Sequence, residues 1–273
     1  MSSEMRVAVL IPVYADQLGL DASLKSLAQE TYPFTVFVVD DGSPKPISVP
    51  ERLSNGAEVR LVRLSANGGI ERALNAGLEE IWGGGFEYVA RLDAGDESMP
   101  GRLELQVSFL DEHQGHAIVG TAAAFVDPTG RVLFIQRGGY DARAVRRAMH
   151  LNNVFCHPTV MLRASTLAEV GPYSLGYPAA EDYELFFRLL CRFDGAVLEP
   201  VTVRTLASPT GLSRARRMDQ LRSRCRVQRR YFDPGEPASY MGLLKTSLLR
   251  FVPWSWIDHL KSATYRPDGE ALR

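Results

Sequence analysis

A chain of 273 residues, 45% hydrophobic and 23% charged, has room for one large α/β domain with a generous core or for two small ones. A formal net charge of −1 argues against nucleic acid as the main partner. Three scattered cysteines (Cys156, Cys191, Cys225) make neither a disulfide framework nor a zinc cluster, and read as buried thiols in a reducing compartment. No run approaches the roughly 18 apolar residues of a membrane span. The opening Met1–Arg6 leads into an apolar run too short for a signal peptide, so a cytoplasmic protein is expected.

In chain order, Val7–Ile11 is a continuous apolar run, the pattern of a strand buried on both faces of a parallel sheet. Leu20, Leu24 and Leu27 recur at helical spacing, with Tyr32-Pro33 closing that helix. Val36–Val39 is a second buried strand ending at Asp40-Asp41-Gly42-Ser43, and a third lies around Val59–Leu64. Ile70, Ala73, Leu74, Gly77, Leu78 and Ile81 mark one face of an amphipathic helix. Gly83-Gly84-Gly85 stops it, and Tyr88–Leu92 is a fourth strand ending at Asp93. This β-α-β-loop-β-α-β order is that of a doubly wound sheet.

The second half is less regular. Ala117–Val126 and Arg131–Ile135 read as a hairpin turned at Asp127-Pro128-Thr129-Gly130. Thr159–Leu162 reads as a strand and Glu181–Phe193 as a helix with Leu185 and Leu189 inward. From Ser213 the chain turns arginine-rich, and then mixes Leu, Phe and Trp with Lys245, Arg250 and Lys261.

In open α/β sheets ligands bind beyond the carboxyl ends of the strands, so Asp40-Asp41 and Asp93–Asp96 are expected to converge on one crevice rimmed by Pro12 and Tyr14. Two readings are open: the carboxylates cap helices and shape turns, or they hold a divalent cation that neutralises a diphosphate leaving group and accept hydrogen bonds from a ribose or base. No glycine-rich phosphate loop follows a strand, which disfavours a dehydrogenase or methyltransferase.

Six segments in order carry a resemblance: Val9–Tyr14, Asp40–Ser43, Asn67-Gly68-Gly69, Arg91–Asp96 with Pro100–Leu103, His157–Met161 and Glu181–Leu185. Together they resemble the family 2 inverting glycosyltransferases of bacterial surface polysaccharides, over about Val7 to Phe232. The resemblance implies a GT-A-type α/β fold: a Rossmann-like, mostly parallel sheet flanked by helices, with a helical C-terminal extension. Residues 1–105 would form the nucleotide-sugar half, 106–212 the acceptor and catalytic half, and 213–273 the extension. It implies transfer from a nucleotide-diphosphate sugar, UDP-sugar favoured, to a hydroxyl of a glycan or lipid-linked acceptor, with Mg²⁺ or Mn²⁺. The rivals are a sugar-phosphate nucleotidyltransferase, whose glycine-rich basic loop is missing from Ile11–Asp16, and a non-catalytic nucleotide- or glycan-binding relative.

Carried over by position, Pro12, Tyr14, Asn67, Gly69 and Arg72 would border the nucleotide. Asp41 would meet a uracil-like base edge, Asp93 the ribose and metal, and Asp182 would be the general base. Where the family places a second Asp, this chain has Gly95; Asp96 is then the other expected metal ligand. Glu181, His157, Arg214 and Arg217 are candidates for the acceptor or the diphosphate. Plainer readings stand beside these: helix-dipole complementarity for Glu181, a structural histidine, and a solvated face for the arginines. The aromatic and basic mixture over 240–262 suits either a membrane surface or packing of a C-terminal helix, with Pro253 interrupting it.

Overall fold

The computed structural model describes residues 6–207 and 216–252. Among these residues nine strands form one sheet: β1 (Val7–Val13), β2 (Phe34–Asp40), β3 (Glu58–Arg63), β4 (Tyr88–Arg91), β5 (Glu97–Ser98), β6 (His116–Val126), β7 (Val132–Gln136), β8 (Met161–Arg163) and β9 (Asp194–Leu206). Their order is β3-β2-β1-β4-β8-β6-β9-β5, with β7 paired on β6. β3, β2, β1 and β4 run parallel, β8 is antiparallel to both its neighbours, and β6 and β9 are again parallel. The helices are α1 (Gln17–Leu27), α2 (Ile70–Gly83), α3 (Arg102–Glu112), α4 (Ala142–Leu151), α5 (Ala164–Val170), α6 (Glu181–Leu190), α7 (Arg217–Arg230) and α8 (Pro237–Leu249).

The unbroken apolar run of β1 is explained by covering on both faces. Ala8 and Leu10 belong to a core with Ala73, Leu74, Leu78 and Ile81 of α2, while Val7, Val9 and Ile11 join Leu20, Leu24 and Leu27 of α1. Each buried Val, Leu or Ile among these stabilises the fold by about 1.5–3 kcal/mol. Helix α2 approaches the sheet through Gly77, where an added Cβ would lie 2.3 Å from Leu10 Cδ1 and 2.9 Å from Val39 Cγ2. Gly77→Ala is therefore expected to destabilise by about 1–3 kcal/mol, although alanine is the better helix former. An unchanged or raised Tm would show that the interface accommodates the methyl group.

Three expectations are corrected in detail. Helix α1 ends at Leu27, well before Tyr32-Pro33, and α6 ends at Leu190 rather than Phe193. Thr159 lies in a 3₁₀ turn (His157–Thr159), so β8 starts at Met161. Strand β9 carries no clear strand signature because Glu199-Pro200 interrupts it. The ladder absorbs the pair as a bulge: Thr121 faces Leu198 and Ala122 faces Val201. Proline has no N–H to donate to a ladder, and a bulge tolerates it.

Candidate active site

The ends of β1, β2 and β4 meet because the strands are parallel neighbours, with Val13 opposite Asp40 and Leu10 opposite Arg91. The two adjacent aspartates at the end of β2 differ in role. Asp40 is fully buried and accepts from Ser43 N (2.9 Å), Ile47 N (3.3 Å) and Arg63 Nη1 (3.0 Å). Burial pushes its carboxyl up, but these hydrogen bonds and the Arg63 charge outweigh that and hold it below the ordinary range. Asp40 thus shapes a loop. Asp41 accepts from Gly68 N (2.8 Å) and Gly69 N (2.9 Å), clamping the Asn67-Gly68-Gly69 loop that leads into α2. Each of its oxygens keeps a lone pair for a further donor. Pro12 is buried, Tyr14 is half-exposed at the rim, and Asn67 and Arg72 are exposed.

Beyond β4 the chain makes a tight turn, Asp96 N donating to Asp93 O at 3.0 Å. Gly95 takes φ +95, a conformation that strains any other residue, so glycine at this point follows from the turn itself. Ser23 Oγ of α1 ties the turn down, donating to Asp96 O (2.7 Å) and accepting from Gly95 N (3.0 Å). The Asp16 carboxylate, which also caps α1, lies 3.9 Å from where a residue-95 Cβ would stand. Asp96 is buried and accepts from Thr205 Oγ1 (3.3 Å); burial, and then the charge of Asp93, push its carboxyl strongly up.

The Asp93 side chain is 35% exposed, and Arg91 Nη2 holds its Oδ1 at 2.5 Å. Arg91 is wholly buried, an unusual place for a guanidinium, and its other donors go to Leu10 O, Leu92 O (3.2 Å) and His157 Nε2 (3.2 Å). Tyr173 Oη lies 2.9 Å from the same imidazole nitrogen. A guanidinium only donates, so Nε2 is the acceptor and the ring proton sits on Nδ1. Burial, and then the Arg91 charge, press the His157 pKa down to about 3. The ring is neutral, and it braces Arg91.

Asp182 stands in the first turn of α6, where a helix N-terminus favours a carboxylate. Its Oδ2 accepts from Asn153 Nδ2 (2.8 Å) and its Oδ1 from Tyr183 N (2.7 Å). Burial raises its carboxyl; the Tyr183 N–H and the charge of Arg224 oppose the rise, and the charge of Asp93 adds to it. Glu181 beside it is buried, and its Oε2 has no hydrogen-bond partner among the described residues. Burial, then Asp182, Glu71 and Asp93, push it up as well. Asp93, Asp96, Glu181 and Asp182 are therefore linked electrostatically through Asp93, although the turn after β4 and the start of α6 lie 85 or more residues apart in sequence.

Among the described residues no three carboxylate, imidazole or thiol groups come together as a preformed metal cluster. A hard cation of the Mg²⁺ type needs only one or two carboxylates, with substrate phosphates and water completing its shell. The partly exposed Asp93, and the buried Asp96 whose carboxyl the Asp93 charge helps to push up, are carboxylates of that kind, and a bound cation would favour the ionised form of both. Of the arginines expected near the diphosphate, Arg214 lies outside the described residues. Arg217 donates from Nη2 to Leu249 O and Val252 O (both 2.7 Å) at the end of α8. The cation of α7 that acts on Asp182 is Arg224, which also donates to Asn152. Sequence reasoning missed Arg224, Asn153, Tyr173 and the role of Arg91; the one available signal was an arginine inside an apolar strand, two residues before a strand-end aspartate.

The family model for glycosyl transferase family 2 matches residues 8–171, more than half of the chain. The chain belongs to glycosyl transferase family 2. Among curated relatives, it is 29% identical over 182 residues to the putative glycosyltransferase EpsE of Bacillus subtilis (63% of this chain, 62% of EpsE). It is 30% identical over 188 residues to the amylovoran biosynthesis glycosyltransferase AmsE of Erwinia amylovora (67% of this chain, 69% of AmsE). The crystal structure of S. aureus TarS 1-349 in complex with UDP-GlcNAc superposes with a TM-score of 0.62 at 20% identity, covering 82% of this chain and 66% of that one. The mannosyltransferase PcManGT of Pyrobaculum calidifontis, in complex with GDP-Man and Mn²⁺, gives 0.59 at 16% identity, covering 96% and 74%. These structural likenesses establish the GT-A-type fold; the chain spans about six-tenths of EpsE's length.

Proposed function

We propose that this family 2 chain transfers a sugar, with inversion, from a nucleotide-diphosphate donor to a hydroxyl of a glycan or lipid-linked acceptor in polysaccharide or glycolipid synthesis. The observation that carries this reading is Asp182: a carboxylate oriented by Asn153 at the start of α6, with a raised pKa, in the same field as the strand-end Asp93. A general base needs that combination of fixed direction and enhanced basicity.

The nucleotide lies along the ends of β1 and β2, with Pro12 and Tyr14 beside it, Asp41 at its base edge, and the Asn67–Gly69 loop and Arg72 nearby. UDP is favoured. Asp93, its direction fixed by Arg91, meets the ribose side, and with Asp96 it would hold Mg²⁺ or Mn²⁺. Such a cation, when bound, offsets the charge of the diphosphate. The acceptor oxygen bonds to the anomeric carbon while the bond from that carbon to the diphosphate oxygen breaks. Asp182 takes the acceptor's proton, and the nucleoside diphosphate leaves with the bonding electron pair. Attack opposite the leaving group inverts the anomeric centre. His157, neutral and turned toward Arg91, takes no proton in this scheme.

We place this activity at the cytoplasmic face of a membrane, in peripheral contact. Tyr240, Met241, Leu244, Leu248 and Phe251 repeat at helical spacing along α8 and just beyond it, each 55–84% exposed. Nine cationic and only three acidic side chains lie between 216 and 252, in a chain of net charge −1. Exposed apolar side chains beside clustered cations suit an anionic bilayer surface. No helix among the described residues is long and apolar enough to cross a membrane. Residues 253–262, the rest of the segment read as membrane-facing, lie outside the described residues.

The donor is tested by thermal shift against UDP- and GDP-sugars with and without Mn²⁺. One nucleotide sugar is expected to raise Tm, more so with Mn²⁺; no shift with any would overturn the reading. Membrane contact is tested by co-sedimentation with vesicles containing phosphatidylglycerol, which Leu244→Gln/Leu248→Gln is expected to abolish.

A further inference from the structure

A cavity of about 360 Å³ opens on the C-terminal half of α6, between α4 and the turn that joins α7 to α8. Its apolar wall is Met149, Phe187, Leu190, Tyr231 and Phe232. Phe187 and Leu190 stand five and eight residues after Asp182 on α6, roughly 7 and 12 Å along the axis at about 1.5 Å per residue. The cavity is therefore separate from the carboxylate crevice, although Asn153, which orients Asp182, follows its α4 wall directly.

Most of the polar atoms around it are engaged within the protein. Arg146 donates to Leu190 O, Phe193 O (3.0 Å) and Asp194 (2.6 Å). His150 Nδ1 pairs with Ser239 Oγ (2.9 Å), and burial lowers the ring's pKa, keeping it neutral. Tyr231 Oη donates to Glu184 Oε1 (2.8 Å), its ring stacked flat on Phe187 at 5.1 Å. Asp233 Oδ1 accepts from Gly235 N (2.8 Å). Sites for polar ligands present a few convergent polar groups free to orient them. Here Arg146, His150 and Asp233 line the cavity while bonded within the protein, and the larger part of the wall is stacked rings and aliphatic carbons.

The mouth leads to the exposed stripe of α8. Phe232 of the cavity wall meets Tyr240, the first residue of that stripe, edge to face at 4.8 Å. Apolar surface thus continues from the cavity to Met241, Leu244 and Leu248. We propose that this cavity receives one linear hydrocarbon chain of an amphiphile, entering from the membrane surface along α8. The proposal rests on the membrane reading above. The chain belongs to a bilayer lipid or to a lipid-linked acceptor; the chemistry recognised is the same.

Cys191 lines the cavity and is exposed, whereas Cys156 and Cys225 are buried, so its thiol reports occupancy. N-ethylmaleimide alkylation of Cys191 in the full chain, followed by mass spectrometry, is compared with and without decyl maltoside below its micellar concentration. Alkylation is expected to slow at least fivefold with decyl maltoside and not at all with maltose. Met149→Trp, which fills the cavity, and Phe232→Asp, which replaces part of its apolar wall with a second carboxylate beside Asp233, are each expected to bring the ratio of the two rates to one. Phe232 is only half-buried, so that variant folds even where Met149→Trp does not.

Protection by phosphatidylglycerol vesicles assigns a bilayer lipid chain; protection by decyl maltoside but not by vesicles assigns the chain of a separate substrate. Equal alkylation rates in the parent protein, or protection unchanged in both variants, would overturn the proposal. Leu244→Gln/Leu248→Gln is expected to lose vesicle sedimentation while keeping protection by decyl maltoside. A parent protein that is protected yet does not sediment sinks the membrane reading alone; one that sediments without protection sinks the cavity site alone.

Discussion

Asp182→Asn is expected to lower transfer by a factor of about 100 to 10,000, the range a positioned general base supplies, while donor affinity measured by calorimetry stays within twofold. Asparagine keeps an oxygen for Asn153 and the shape of the residue, but it takes no proton. The carboxyl is raised to about 6 by burial, with the Asp93 charge adding. A base works deprotonated, so kcat/KM of the parent should rise with pH through about 6, and the residual activity of the variant should lack that limb. The linkage also has a stability consequence. A carboxyl whose folded pKa lies above its unfolded value contributes stability at low pH that is lost as pH rises through the folded value. Asp182→Asn is therefore expected to raise Tm at pH 8, and the gain should shrink as the parent is acidified below pH 6. Full turnover in the variant, or a flat pH profile in the parent, would remove Asp182 from the role of base.

The second large effect is expected at Arg91, and it is structural first. Arg91→Met leaves Asp93 Oδ1, Leu10 O, Leu92 O and His157 Nε2 without the donor that now joins them. Asp93 is 35% exposed, so the pair itself counts for less than the about 3–5 kcal/mol of a fully buried one, but each buried carbonyl left without its donor costs about 1–3 kcal/mol. Urea unfolding should show this as a lower midpoint with an unchanged slope. Arg91→Lys retains the charge but not the planar fork that serves several acceptors at once, so a smaller loss is expected, with donor binding still weakened because Asp93 is no longer held in one direction. NMR adds a readout that simple loss of packing would not give. The Arg91 charge helps to press His157 down, so the imidazole of a folded Arg91→Met protein should titrate higher than about 3. An unfolding midpoint and a His157 pKa both unchanged would show that the brace is dispensable.

The placement of Asp41 and Asp93 was legible because it follows from local pattern plus one topological rule. Two apolar runs with no polar face must lie inside a parallel sheet, and their carboxyl ends then share one edge. Asp182 was legible too, as a carboxylate opening an amphipathic helix. Gly95 looked like a missing ligand, and the turn at φ +95 gives the backbone reason for it. What made Asp40 structural and left Asp41 able to meet a ligand was not legible, since the residues are adjacent and identical. The difference lies in Arg63 and the Ser43–Ile47 loop on one side and the Gly68-Gly69 amides on the other.

By itself, then, the sequence determined the parallel core, the family motifs and the carboxylates at the strand ends, because apolar periodicity and turn chemistry act over a few residues. Only the tertiary structure decided which groups support those carboxylates. Arg91 is tied to His157 and, through it, to Tyr173, Asp182 to Asn153, and Arg217 to the end of α8, each across a contact between segments with no shared period. It likewise decided that the apolar stripe of α8 faces outward beside a cavity. Helical spacing tells which side chains share a face, but whether that face is covered depends on what packs against it.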